Sequence, residues 1–251
     1  MKLPVGTKNR WTTELHLLVA IVIAVTFTTA YPHGNINGMT HPESLLVVIG
    51  AIGLFMLVRY ALPKKIERLF QRGKIDDILK YYRRTTKLSS PSELKKAYTR
   101  SLVLCFFGKF KESEAEIKEL LEFGLPPTDE GMRLNATAAN FYLRKVNPEA
   151  GLEASIKATE IMAVGGQSQI ARLEKDVYDA YVEIGMILTG KADKQTIWSL
   201  ERRFGLSEFL LKLIIAWCLS RHYKDGDQSS FKYYTGFLER NAKFCVPLQD
   251  Y

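Results

Sequence analysis

RGKIDDI at residues 72–78 and FGKFKES at residues 107–113 are one turn written twice. Gly73 aligns with Gly108, Lys74 with Lys109 and Ile75 with Phe110, and Pro91 and Pro126 fall into register at the same interval of 35 residues. A glycine at such a position closes one helix in a left-handed cap and lets the next begin at once. Repetition at a fixed interval of this size marks a chain assembled by stacking one helix-pair unit on another. The two turns therefore point to an all-α fold.

Outward from these turns, apolar residues recur at three- and four-residue spacing without sustained strand alternation. The pattern predicts helices over 63–72, 76–86, 92–107, 111–123, 129–145, 148–163, 169–189, 194–204, 207–222 and 228–243. Residues 244–251, with Pro247, cannot continue the last helix and read as an extended end or a strap. The second unit resembles a tetratricopeptide repeat. Ser101 is its small residue at the close helix contact, Gly108-Lys109-Phe110 its turn, Leu120 and Leu121 its second-helix packing residues and Pro126 its stop. Ala138, Phe141, Ala150 and Ala154 take the corresponding small and aromatic positions of the next unit. The family's usual Trp and Leu-Gly pair are absent from the first helix, and Gly190-Lys191-Ala192 follows the previous turn by about 45 residues. The resemblance implies a tetratricopeptide-like α-solenoid of helix pairs, firmest over residues 64–162 and extended to the end of a domain at 63–251. An irregular helical bundle is the alternative arrangement of the same helices.

Residues 15–31 and 45–62 are apolar runs with no charge before Arg59. Each is about 26 Å long as a helix, close to a hydrocarbon core of about 30 Å. Residues 1–62 are therefore expected to form a two-helix transmembrane hairpin. Lys2, Lys8 and Arg10 precede it, Lys64, Lys65 and Arg68 follow it, and the connecting loop has neither Lys nor Arg. This asymmetry places both termini on the cytoplasmic or equivalent inner side. A secretory signal cleaved after Ala30 would leave one span with the same fate for the rest of the chain. Ala20, Ala24 and Thr28 form one small-residue stripe, and Gly50 and Gly53 another, at which membrane helices can pack.

The net charge of +8 is uneven: residues 59–100 hold 13 basic against 4 acidic side chains. Arg59, Lys64, Lys65, Arg68, Arg72 and Lys74 are the candidates to face anionic lipid. No recognised nucleic-acid motif accompanies them, so no nucleic-acid partner is expected. Phosphate loops, His-Glu-x-x-His, paired metal-binding cysteines and nucleophile elbows are all absent from the sequence, which predicts no enzyme, no metal and no cofactor. Cys105, Cys218 and Cys245 are too scattered for a disulfide framework and read as free thiols.

Two functions remain in view. The first is a non-enzymatic, membrane-anchored scaffold or adaptor that binds a protein partner through the helical domain. The resemblance places its groove at Lys95, Tyr98, Leu102, Cys105, Asn135 and Tyr142, with Lys95, Tyr98, Asn135 and Tyr142 as partner-binding candidates. The second is an integral accessory subunit of a larger membrane complex, with the hairpin as assembly interface.

Overall fold

The computed structural model describes residues 62–83, 91–121, 127–165 and 169–249. Apart from Leu62, the two apolar runs lie outside the described residues, as do Arg59, Ala20, Ala24, Thr28, Gly50 and Gly53. Among the described residues no helix is long and apolar enough to cross a membrane, and none lies in a strand. The described chain is all-α: α1 Leu62–Gln71, α2 Ile75–Tyr81, α3 Pro91–Phe106, α4 Phe110–Leu121, α5 Pro127–Arg144, α6 Pro148–Gly165, α7 Gln169–Leu188, α8 Lys194–Leu206, α9 Phe209–Tyr223, α10 Gln228–Ala242 and α11 Val246–Gln249. The chain divides into two units, Met1–Ile66 and Glu67–Tyr251, and the second holds the stack of helices.

The repeated turn is a helix cap used four times. Gly73 N–H donates to Phe70 O and Lys74 N–H to Leu69 O, both at 3.0 Å, and Gly73 has φ 65°. Gly108 and Lys109 close α3 onto Cys105 O and Leu104 O, and Gly190 and Lys191 close α7 onto Ile187 O and Met186 O, with the same pairing. These are Schellman caps, which satisfy carbonyls that a helix end leaves open. The fourth closes α5 with Lys145, not glycine, at φ 58°, its N–H reaching Tyr142 O at 3.2 Å. A side chain in this left-handed region costs about 1–2 kcal/mol. Lys145→Gly is accordingly expected to raise stability by about 1 kcal/mol, read as a rise of a few degrees in thermal midpoint.

Side-chain caps start the following helices. Asn147 Oδ1 accepts from Ala150 N–H at 3.0 Å ahead of Pro148, Asp193 Oδ1 from Thr196 N–H at 2.7 Å, and Asp227 Oδ1 from Ser229 N–H at 2.9 Å. Each supplies an acceptor to an otherwise open N–H of the first turn. Helix α2 stops at Tyr81 instead of near residue 86, with Arg83 N–H turning back onto Lys80 O at 3.1 Å.

Packing follows the order of a helix-pair stack. Helices α3, α5, α7 and α9 each lie against the next, while α4, α6 and α8 each fill the gap between two of them and α10 covers α9. Helix α9 is buried almost all round from Leu211 to Ser220, with Trp217 at its centre. A helix apolar on every face belongs inside a protein, not at the edge of an open array.

The stack is also closed. Residues 244–251 read from sequence as an extended end or a strap; 246–249 form α11, a short helix that packs on α3, α5, α9 and α10 as a strap would. Cys245, Pro247 and Leu248 are buried there. Pro247 is tolerated because the first turn of a helix has no use for its missing N–H. From the other end, the Phe70 ring lies 5.3 Å from Phe209 of α9 and 5.5 Å from Phe107. Gln71 Nε2 donates to Asn241 Oδ1 at 3.1 Å.

Candidate functional site

The proposed groove residues lie on α3 and α5, in the inner layer, but most of them face inward and are already engaged. Lys95 is exposed and Tyr98 half-buried, its hydroxyl 3.4 Å from that of Tyr181 on α7. Leu102 and Cys105 are core residues. Asn135 and Tyr142, read from sequence as groove positions, are each only 1% exposed. Tyr142 donates to Tyr181 O at 3.1 Å and lies 3.0 Å from Ser155 Oγ. Its ring is flanked by two glycines: a Cβ on Gly151 would stand 2.4 Å from Tyr142 Cε1, and one on Gly185 would stand 2.3 Å from its hydroxyl. Tyr142 thus locks α5 to α6 and α7, and burial pushes its phenol well above the usual range.

A second polar knot joins α3, α4 and α5. Ser113 Oγ lies 3.0 Å from Ser101 Oγ, 3.0 Å from Cys105 Sγ and 3.5 Å from Asn140 Nδ2, all buried. Burial raises the Cys105 thiol to about 12 despite hydrogen bonds from Ser113 and Asn140 that favour the thiolate. Cys218 and Cys245 are likewise buried, with their thiols shifted upward by desolvation. Thiols held protonated at neutral pH are packing groups, not nucleophiles. Among the described residues no group of three His, Cys, Asp or Glu side chains is placed to hold a metal ion.

Charge is concentrated where α8 crosses α7. Asp176, Asp179 and Glu183 form one stripe of α7, and Arg203 meets all three: Nη1 with Asp176, Nη2 with Asp179 at 3.1 Å and Nε with Glu183 at 3.1 Å. Ser199 Oγ adds a bond to Glu183 at 2.7 Å. Burial still holds the Glu183 carboxyl above its ordinary range, outweighing Ser199 and Arg203. Elsewhere Arg100 ties three helices, donating to Glu116 Oε1 and to Leu79 O, each at 3.0 Å.

Two surfaces remain outward. Trp198, Arg202 and Leu206 recur every fourth residue on α8; Trp198 is 54% and Leu206 47% exposed, and the Arg202 guanidinium sits 5.4 Å from the Trp198 ring. Tyr233 of α10 is 59% exposed as well, with its ring 5.9 Å from the buried Phe204 on the inward side of α8. Of the basic candidates, Lys64, Lys65, Arg68, Arg72 and Lys74 are all exposed. Sequence reasoning missed the α8 stripe, although its four-residue spacing was there to read. It also missed Ser113, which sits 35 residues after the buried Ile78 and so occupies a core position of the repeat.

Comparison with protein-family models, with curated proteins and with solved structures finds no match for this chain.

Proposed function

We propose that this chain is a non-enzymatic scaffold, anchored by the hairpin at residues 1–62, whose tetratricopeptide-like helical unit binds a protein partner at the cytoplasmic membrane face. The observation that carries the reading is the exposed stripe of Trp198, Arg202 and Leu206 along α8. Trp, Tyr and Arg are the side chains that dominate protein interfaces, because they bury large areas at modest entropic cost. The inner face offers less: Tyr142, Asn135 and Leu102 are buried, leaving Lys95 exposed and Tyr98 half-buried. Anchoring is supported by the two uncharged runs and the basic residues that bracket them.

The second reading, an accessory subunit assembled through its hairpin, is supported by the small-residue stripes Ala20, Ala24, Thr28 and Gly50, Gly53. Purification of the full chain in mild detergent separates the two. A scaffold acting through the α8 stripe loses its partner in Trp198→Ala/Leu206→Ala and keeps it when residues 1–62 are exchanged for an unrelated hairpin. A subunit shows the reverse. The anchor is checked by labelling: a cysteine at Asn37 should react with an impermeant reagent from outside, and one at Ser90 should not. The three native thiols are buried and leave a low background.

A further inference from the structure

The turn between α1 and α2 and the corner between α10 and α11, 170 residues apart in sequence, form one surface. Gln71 is hydrogen-bonded to Asn241, and the Phe244 ring covers Gly73 so closely that a Cβ there would stand 2.7 Å from it. Phe244 nevertheless remains 47% exposed and Val246 is 73% exposed. Lys243 Nζ lies 4.9 Å from the Phe244 ring centre. Arg72 and Lys74 on one side and Arg240 and Lys243 on the other are all exposed. The nearby carboxylates in sequence are Glu67, Asp76, Asp77, Glu239 and Asp250, of which Asp77 is paired with Lys80 at 3.7 Å.

We infer that this corner docks on an anionic lipid surface, with Phe244 and Val246 entering the headgroup boundary and Arg72, Lys74, Arg240 and Lys243 meeting lipid phosphate and carboxylate groups. Exposed apolar side chains ringed by cations match the chemistry of a bilayer interface, where burial of the first and neutralisation of the second add. The position along the chain agrees. Gly73 follows the apolar run 45–62 by only eleven residues in sequence. The inference rests on the anchored reading above and extends it to residues 240–246, which composition near the hairpin does not point to.

The test uses the full chain carrying Val246→Cys, labelled with an environment-sensitive fluorophore and reconstituted in phosphatidylcholine vesicles with or without about 30% phosphatidylserine. The expected result is several-fold stronger quenching by brominated lipid when phosphatidylserine is present, reversed by about 0.5 M salt because exposed charges are then screened. Arg240→Glu/Lys243→Glu should reduce quenching to the neutral-vesicle level, while a probe at Ile156→Cys, on α6, should stay unquenched throughout. Equal quenching on both vesicle types, or no effect of the charge reversal, overturns the inference. A response to a soluble oligonucleotide as strong as that to the vesicles also overturns it, in favour of a nucleic-acid surface. Failure of the anchored reading is seen separately, as release of the chain from vesicles by alkaline carbonate.

Discussion

Gly185→Ala is expected to destabilise the helical unit by about 2 kcal/mol, although alanine is the better helix former. In an ordinary helix the change would gain about 1 kcal/mol. Here the new Cβ would stand 2.3 Å from the Tyr142 hydroxyl and 3.0 Å from Leu152 Cβ. Tyr142 cannot swing aside, because Gly151 of α6 lies against its ring and its hydroxyl is held by Tyr181 O and Ser155. Overpacking of a closed core costs about 1–3 kcal/mol, and this contact belongs at the upper end, so the loss outweighs the helix gain. A double-mutant cycle gives the sharper test. Tyr142→Phe alone should cost about 1 kcal/mol for its hydrogen bond. Combined with Gly185→Ala it should cost at least 1 kcal/mol less than the sum of the two, since the clashing oxygen has gone. Gly151→Ala clashes with the ring instead and should show no such rescue. Denaturant unfolding of the full chain in mild detergent, followed by tryptophan fluorescence, measures the three single variants and the two double variants with Tyr142→Phe, and strict additivity at Gly185 would show that the hydroxyl is not what blocks the site.

Arg203→Met should cost about 2 kcal/mol at neutral pH and much less near pH 4. The substitution keeps most of the side chain's apolar stem but removes the cation shared by Asp176, Asp179 and Glu183. Breaking a fully buried pair costs about 3–5 kcal/mol; here Asp176 is 76% exposed and solvent screens part of the charge, which lowers the figure. The direction with pH follows from Glu183, whose folded-state pKa already lies above its ordinary value of 4.5. A group shifted upward binds more protons when folded, so the stability it contributes is complete below the ordinary value and is lost as pH rises through the folded one. Without Arg203 the shift is larger, and the difference between variant and wild type should widen from pH 4 to pH 7. A difference independent of pH would mean that Arg203 contributes through packing alone.

The helices themselves were largely legible in the sequence, because punctuation at the turns is chemical. Gly73, Gly108 and Gly190 each accept the left-handed conformation that a Schellman cap requires, and Asn147, Asp193 and Asp227 each supply an N-cap oxygen. The caps fall at Gly73, Gly108, Lys145 and Gly190, so their spacing does drift, and the third is hidden from a glycine pattern because Lys145 stands there under strain. The groove was not legible. Tyr142 and Asn135 have the polar tips of binding residues, and periodicity places them on the inner layer. Whether that layer stands open depends on what returns to cover it. Burial of α9 on every side and the return of residues 245–249 onto α3 are contacts between distant parts of the chain, to which local pattern is blind. The exposed corner at Phe244 was hidden for the same reason, since an aromatic beside a lysine reads as an ordinary helix end until Gly73 is found beneath it.

That return contact has a consequence for biosynthesis. An open array of helix pairs can fold unit by unit as it leaves the ribosome, each pair resting on the one before. Here Phe70 and α3 are completed by Phe209 and by residues 245–249, made well over a hundred residues later. Helices α1 and α3 emerge with an apolar face that nothing yet covers, and they keep it until α9 and α11 have been translated. Premature termination anywhere before α11 therefore yields a product that is helical yet unsealed, with the surface around Cys105 and Gly108 exposed to chaperones and proteases. Closure makes the domain a test of its own completeness.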